Sequence, residues 1–196
     1  ACALSLVCGR NGILDIDPPL GGYAKLHPTA QNTLPVWLQQ AGYNTALIGK
    51  YLNGYGTEIP GTTVPPGWDH WNGLVDKSTY LYYGYTISEN GTLHTYGNTE
   101  TDYQTDVLAR KAADYITSRA GSSQPFFLWL TPMAPHVPIG GNGRTPRYED
   151  MFSSLALPRP PSFNEVDILD KPSFIQGREA MSETTINNIQ TDFRVQ

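Results

Sequence analysis

The sequence has few cysteines, no run of like charges and no long hydrophobic stretch. Its two cysteines, Cys2 and Cys8, are too few for a disulfide framework, and a bridge between them would close only a very small loop. Its 13 basic and 18 acidic residues leave a formal net charge of −5 without a basic cluster, which argues against a nucleic-acid partner or an anionic membrane surface. No apolar run approaches the roughly 18 residues that span a bilayer. Small polar ligands remain as candidates.

What the sequence does contain is enough apolar material for a core. Its 196 residues are 39% hydrophobic, which suits one domain of ordinary size. Helix and strand patterns alternate along residues 1–140, with helices predicted at 31–42 and 101–121 and strands at 43–50 and 125–131. A turn-rich sequence at 51–100, which is predicted to contain a small hairpin, separates the first helix and strand from the second helix and strand. This alternation predicts an α/β fold with a mostly parallel sheet flanked by helices.

The last part of the chain, residues 141–196, has a weaker pattern. It is irregular and proline-rich, and a final helix is indicated only at 177–193. We therefore treat 141–196 as an irregular continuation of the domain formed by 1–140.

Two polar side chains follow the predicted strands. Lys50 comes directly after the strand ALIG, and His136 comes after FFLWLTPMAP, a strand whose apolar residues on both faces are typical of a central parallel strand. The ligand crevice of an open α/β sheet lies at the carboxyl ends of its strands. Alone, each residue has an ordinary explanation, as a solvated lysine or a structural histidine. Together, a cation and an imidazole suit an anionic ligand.

Four stretches, in this order, resemble the sulfatase family, in the branch of glucosamine-6-sulfatases and arylsulfatases. They are LPVWLQQAGYNTALIGKYLNGYG at 34–56, VPPGWDHWNGL at 64–74, TDVLARKAADYI at 105–116 and FFLWLTPMAPHVP at 126–138. The resemblance covers most of residues 9–140. It implies an α/β fold like that of alkaline phosphatase, present here in part, so that 1–140 would be a partial catalytic domain.

The resemblance also implies hydrolysis of a sulfate ester by a formylglycine made from cysteine, beside a calcium ion. Lys50 matches the sulfate-binding lysine of the Gly-Lys motif, and His136 matches the histidine of the Ala-Pro-His motif, which contacts the sulfate and the leaving oxygen. Both are expected to be catalytic and to bind substrate. Where the family usually has Gly-Lys-Trp-His-Leu, this chain has Gly-Lys-Tyr-Leu-Asn, and its Asn53 becomes a candidate substrate-binding residue.

The nucleophile motif is incomplete at the start of the chain, ACALSLVCGRNG. Aligning Gly9 and Arg10 with the end of the family motif puts the nucleophile before residue 1. Aligning Cys2 with the nucleophile keeps Ser5 but loses the proline and the arginine. Cys2 is thus the candidate formylglycine within the chain, and a small buried hydrophobic residue is the alternative for both cysteines.

The calcium ligands implied by the family have no match in this chain. The acidic pairs Asp15/Asp17 and Glu149/Asp150 lie outside the matched positions, and we interpret them as solvated turns. We expect this to be an internal or amino-terminal segment of a sulfatase, which needs the missing part of the fold from the same or another chain. The calcium ion would bind in that complete protein.

Two further expectations concern the setting of the protein. Asn90-Gly91-Thr92 is a possible N-glycosylation site, and the family implies a secreted, extracellular or lysosomal-like location. Two classes of function stay open. One is an enzyme that hydrolyses an aryl sulfate or a sulfated sugar. The other is a catalytically inactive relative used for binding or assembly, with the tyrosine-rich stretch 79–103 as a contact surface.

Overall fold

The computed structural model describes residues 12–136, 146–148 and 150–195. The chain divides into two compact units, Ala1–Gly143 and Arg144–Gln196. The prediction that 141–196 continues the domain formed by 1–140 stays a prediction. Among the described residues, no helix has both the length and the apolar character needed to cross a membrane.

The first unit contains three α-helices and seven strands within its described part. The helices are α1 (Gly22–Leu26), α2 (Leu34–Gln40) and α3 (Gln104–Arg119), and the strands are β1 (Asn44–Gly49), β2 (Tyr55–Gly56), β3 (Ile59–Pro60), β4 (His70–Leu74), β5 (Thr86–Glu89), β6 (Thr92–Thr95) and β7 (Phe126–Thr131).

The main sheet has five strands in the order β6-β5-β4-β1-β7. Strand β1 runs parallel to both of its neighbours, β4 and β7, whereas β5 and β6 form an antiparallel hairpin. The predicted hairpin turn is present, because Asn90 and Gly91 adopt φ angles of 49° and 89°, as tight hairpin turns require. The predicted mostly parallel α/β sheet is confirmed.

Strand β7 differs from the prediction in its position. It lies at the edge of the sheet formed by the described residues, paired with β1. Phe126 and Leu130 are 39% and 42% exposed, so the apolar pattern did not locate the strand within the sheet. A run of apolar residues indicates a strand that can be buried on both faces, but it carries no information about strand order.

Alternate residues of β1 enter two separate cores. Leu47 packs with Trp71 in an aromatic cluster that also contains Tyr23, Tyr51, Tyr55 and Trp68. Ala46 and Ile48 point to the other face, where α3 covers the sheet with Val107, Leu108, Ala112 and Tyr115. This alternation follows from the two-residue period of a strand. Strand β1 is therefore buried on both faces. This packing fixes the position of its carboxyl end and, with it, of Lys50.

The second unit contains α4 (Ser173–Gln176) and α5 (Glu183–Val195) among its described residues. Helix α5 confirms the helix predicted at 177–193, with a later start. Gln190 of α5 binds the backbone at residues 155–157. Its side chain accepts a hydrogen bond from the Leu157 N–H at 2.8 Å and donates one to the Leu155 carbonyl at 2.9 Å. Ile186 is the buried anchor of the helix, 3% exposed.

One histidine of the first unit is held in an environment that favours its neutral form. His70 opens β4, and its Nε2 lies 2.7 Å from Asn72 Nδ2. Burial, and then the nearby positive charges of Lys111 and Arg119, lower the pKa of His70 from its ordinary value of 6.5, while Glu89 acts in the opposite direction.

We expect the free energy of unfolding to fall as the pH is lowered from about 7.5 to about 5.5. The folded protein disfavours the protonated imidazole, so the unfolded chain binds more protons once the pH drops below the ordinary histidine pKa of 6.5. His70→Gln removes this proton uptake and should flatten the dependence. Urea unfolding of both proteins at the two pH values measures the difference, and equal pH dependence in both would contradict the assignment.

Candidate functional site

The carboxyl ends of β1 and β7 bring the first candidate residue into place. Lys50 N–H donates to the Thr131 carbonyl at 2.8 Å, and Thr131 Oγ1 donates back to the Lys50 carbonyl at 2.7 Å. The backbone of Lys50 is therefore bound to the last residue of the neighbouring strand. Gly49 permits this close approach, because a Cβ at its position would lie 2.1 Å from the Thr131 carbonyl oxygen.

His136 follows β7 on a short turn. Its N–H donates to the Met133 carbonyl at 2.9 Å, and Met133 is buried at 7% exposure. The His136 carbonyl in turn accepts a hydrogen bond from the Tyr82 hydroxyl at 2.8 Å. The histidine backbone is thus held from two sides while its side chain stays at the surface.

Lys50 and His136 meet at the same tyrosine. Lys50 Nζ lies 5.1 Å from the centre of the Tyr80 ring, and the His136 ring centre lies 4.9 Å from that of Tyr80. The predicted convergence of the two strand ends is therefore present in the geometry. Tyr80 itself was not singled out from the sequence, where it is one of many tyrosines in the stretch 79–103.

Asn53 joins this group through its amide. Its Oδ1 accepts a hydrogen bond from Lys50 Nζ at 2.6 Å, and its Nδ2 donates to Asp17 Oδ1 at 3.1 Å. The Tyr80 hydroxyl lies 3.5 Å from the same Oδ1. Asp17, interpreted from sequence as part of a solvated turn, is exposed but belongs to this network. We call Asp17, Lys50, Asn53, Tyr80 and His136 the strand-end cluster.

The strand-end cluster presents positive charge that an anion can use. In the described part of the chain, no carboxylate lies within ion-pair distance of Lys50, since the neutral amide of Asn53 separates its ammonium from Asp17. An ammonium held by a neutral acceptor retains its full charge and two further donor hydrogens. The arrangement can therefore bind a small oxyanion through charge-assisted hydrogen bonds.

The remaining predicted site residues lie elsewhere. Asn90 is exposed in the β5–β6 turn, two strands away from β1, and its Oδ1 accepts a hydrogen bond from the Trp71 N–H at 2.8 Å. Cys2, the candidate nucleophile, lies outside the described residues, as does Cys8. Within residues 12–136, 146–148 and 150–195, no three His, Cys, Asp or Glu side chains are grouped so that they could hold a metal ion.

Three of the six tyrosines in the stretch 79–103 are buried inside the first unit. Tyr82, Tyr85 and Tyr103 are buried, with Tyr82 stacked on Tyr103 and Tyr85 stacked on Tyr96. Burial also raises the pKa of Tyr82, to about 12, with the neighbouring Tyr103 adding to the effect. These rings pack on one another within the first unit and do not form a flat exposed surface.

Comparison with known proteins finds similarity along most of the chain. The sulfatase family model matches residues 2–156. The N-acetylglucosamine-6-sulfatase of the goat, Capra hircus, is 36% identical over 168 residues, which cover 83% of this chain and 29% of that protein. An arylsulfatase of Volvox carteri is 32% identical over 202 residues, which cover 92% of this chain and 30% of that protein.

Two further similarities extend this result. The putative extracellular sulfatase Sulf-1 homolog of Caenorhabditis elegans is 33% identical over 168 residues, covering 84% of this chain and 22% of that protein. A solved structure of a protein in complex with its substrate D-glucosamine-2-N,6-O-disulfate superposes with a TM-score of 0.50 and 31% identity, covering 66% of this chain and 23% of that one. The chain thus spans less than a third of the length of these relatives.

Proposed function

The chain belongs to the sulfatase family, and on that basis we propose that it contributes part of an active site that hydrolyses sulfate esters. The observation that carries the proposal is the convergence of Lys50 and His136, from the ends of two adjacent parallel strands, on the Tyr80 ring. A sulfate ester is a poor electrophile with dispersed negative charge, so its hydrolysis needs cations around the sulfate oxygens.

Four residues of the strand-end cluster have distinct parts in this proposal. Lys50 Nζ binds a sulfate oxygen and balances charge as the ester bond lengthens, while Asn53 holds the ammonium in place. His136 contacts the sulfate and donates a proton to the leaving oxygen when the bond from sulfur to that oxygen breaks. Asp17 orients the Asn53 amide, because the carboxylate accepts from Nδ2 and so directs Oδ1 towards Lys50.

We propose a sulfated amino sugar as the substrate class, with a sulfate on the 6-oxygen of glucosamine. The names of the N-acetylglucosamine-6-sulfatases among the relatives support this choice, as does the substrate in the structural relative. An aryl sulfate is the simpler test substrate, since arylsulfatases are also among the relatives.

The formylglycine nucleophile and the calcium ion implied by the family would come from outside the described residues. Formylglycine supplies the attack on sulfur, and Cys2 is the candidate for it within the chain. The described acidic residues do not form a calcium site, so we propose that carboxylates elsewhere in the full-length protein bind the ion. We likewise propose that additional polypeptide, from the same or another chain, completes the fold beside the exposed edge of β7.

We also propose a secreted or lysosomal-like location. The extracellular sulfatase homologues among the relatives support it. Glycosylation of Asn90 would accord with that location, since its side chain is exposed in the turn.

The activity is tested with the full-length protein and two substrates, a chromogenic aryl sulfate and glucosamine 6-O-sulfate, in the presence of calcium. We expect turnover of both, and His136→Ala should lower kcat/KM about 10²-fold because it removes the proton donor. His94→Ala, which alters an exposed histidine on β6, serves as the matched control and should leave activity unchanged. Absence of turnover by the wild-type protein would refute the enzyme and favour the catalytically inactive relative.

A further inference from the structure

The segment between β4 and β5 contains Tyr80, whose ring lies close to both Lys50 and His136. Tyr80 is half-buried, with its ring about equally close to the Lys50 ammonium and the His136 imidazole, at 5.1 and 4.9 Å. Its hydroxyl is 3.5 Å from Asn53 Oδ1. One side chain therefore lies close to three members of the strand-end cluster, of which Lys50 and Asn53 follow β1 and His136 follows β7.

These contacts restrict side chains that would otherwise be mobile. A lysine ammonium has a flexible four-carbon stem, and ordering such a side chain costs about 1.5–2 kcal/mol of conformational entropy. The negative face of a tyrosine ring attracts an ammonium near it. The same ring limits the rotation of the exposed His136 imidazole, with an interplanar angle of 55°. Tyr80 thus orients both groups before any substrate is bound.

The backbone on both sides of Tyr80 is held by Gln104, the first residue of α3. Gln104 is fully buried, and its Nε2 donates to the carbonyls of Thr79 and Leu81 at 3.1 and 2.7 Å. Its backbone N–H donates to the Tyr82 carbonyl at 2.9 Å. Three hydrogen bonds from one buried residue bracket Tyr80, so the ring is carried by a rigid segment rather than by a mobile loop.

We propose that Tyr80 is a positioning residue of the sulfate-ester site, whose ring holds Lys50 and His136 in the orientation needed for hydrolysis. The inference rests on the proposed function, because it assigns Tyr80 a part in that same reaction. The ring, and not the hydroxyl, is the group that acts, since the ring makes the two close contacts whereas the hydroxyl is only at the limit of hydrogen-bond distance from Asn53.

The test compares Tyr80→Leu, Tyr80→Met and Tyr80→Phe in the full-length protein, with the chromogenic aryl sulfate as substrate. Misplacement of catalytic groups by about 1 Å can cost about 10²-fold in rate, so we expect Leu and Met to lower kcat between about 10- and 100-fold with KM nearly unchanged. Phe keeps the ring and should retain activity within about threefold. If Tyr80→Leu does not fold, the kcat of Tyr80→Met tests whether the ring is needed.

Tyr83→Leu is the matched control. Tyr83 lies on the same segment and is also half-buried, but its ring packs against Tyr103, at 5.6 Å between centres. An equal loss of kcat in Tyr83→Leu and Tyr80→Leu would overturn the proposal, since it would reduce Tyr80 to a general packing role. A rise in KM without a change in kcat would overturn it too, because that pattern indicates a direct contact with substrate.

A second measurement does not depend on turnover. With 13C-labelled histidine, the His136 Hε1 signal, identified by its absence in His136→Gln, reports the ring current of the adjacent Tyr80. We expect this signal to move in Tyr80→Leu and Tyr80→Met but not in Tyr80→Phe or Tyr83→Leu. An unmoved signal overturns the positioning role. If the wild-type protein has no turnover, the proposed function fails, and this signal alone decides whether Tyr80 orients His136.

Discussion

Lys50→Ala is expected to lower kcat/KM for a chromogenic aryl sulfate about 10²- to 10³-fold, the range seen when a preorganised charge-stabilising donor is removed from an active site. The ammonium is the cation of the strand-end cluster, held at 2.6 Å from Asn53 Oδ1 with no carboxylate partner among the described residues. Its removal leaves the sulfate oxygens without that charge. Steady-state kinetics of the full-length protein measure the loss.

The loss should come from chemistry rather than from unfolding. Lys50 is half-buried, and its fold contacts are made by the backbone to Thr131, so truncating the side chain leaves them intact. We expect the midpoint of urea unfolding to change little. Lys25→Ala, at an exposed lysine on α1, is the matched control. If Lys50→Ala keeps kcat/KM within about threefold of the wild type, Lys50 has no part in catalysis.

Gly49→Ala should affect both the fold and the site. Gly49 has a φ of +120°, and an added Cβ would lie 2.1 Å from the Thr131 carbonyl oxygen, which is backbone and cannot rotate away. We expect a loss of roughly 3 kcal/mol or more in the free energy of unfolding, from the backbone strain and the separation of β1 from β7. Where the variant still folds, Lys50 is displaced and activity falls with it.

Gly42→Ala separates the two causes of that loss. Gly42 also has a positive φ, +89°, but an added Cβ there would meet no atom within 4 Å. Its cost should be about 1–2 kcal/mol, that of the left-handed backbone conformation alone. Chemical denaturation of both variants measures the difference. Equal costs at the two positions would mean that the close approach of β1 and β7 does not depend on Gly49.

The sequence is sufficient to predict the α/β class and the strands whose ends bear Lys50 and His136. Strand β1 was recognised from its run of apolar strand formers, and α3 from its helical period, because these patterns repeat within a few residues. Lys50 and His136 were selected for the same local reason, since each follows an apolar strand at its carboxyl end. The four ordered stretches that resemble sulfatases led to the family that the comparison supports.

The position of β7 and the membership of the strand-end cluster did not follow from the sequence. Tyr80 is one of 12 tyrosines, and nothing local distinguishes it from Tyr82 or Tyr83. Asp17 stands in a short acidic stretch that is typical of a solvated turn. Their roles depend on contacts with Asn53, from which they are 27 and 36 residues distant along the chain.

The physical reason lies in the range over which each interaction acts. Burial and backbone hydrogen bonding select helix or strand from the spacing of neighbouring side chains, so the order of elements and the residues at strand ends can be derived from the chain alone. The arrangement of Tyr80 between an ammonium and an imidazole requires that β1 and β7 pair in parallel and that Gln104 bracket the segment around it. Such convergence arises from packing between distant segments, and it exists only once the chain has folded.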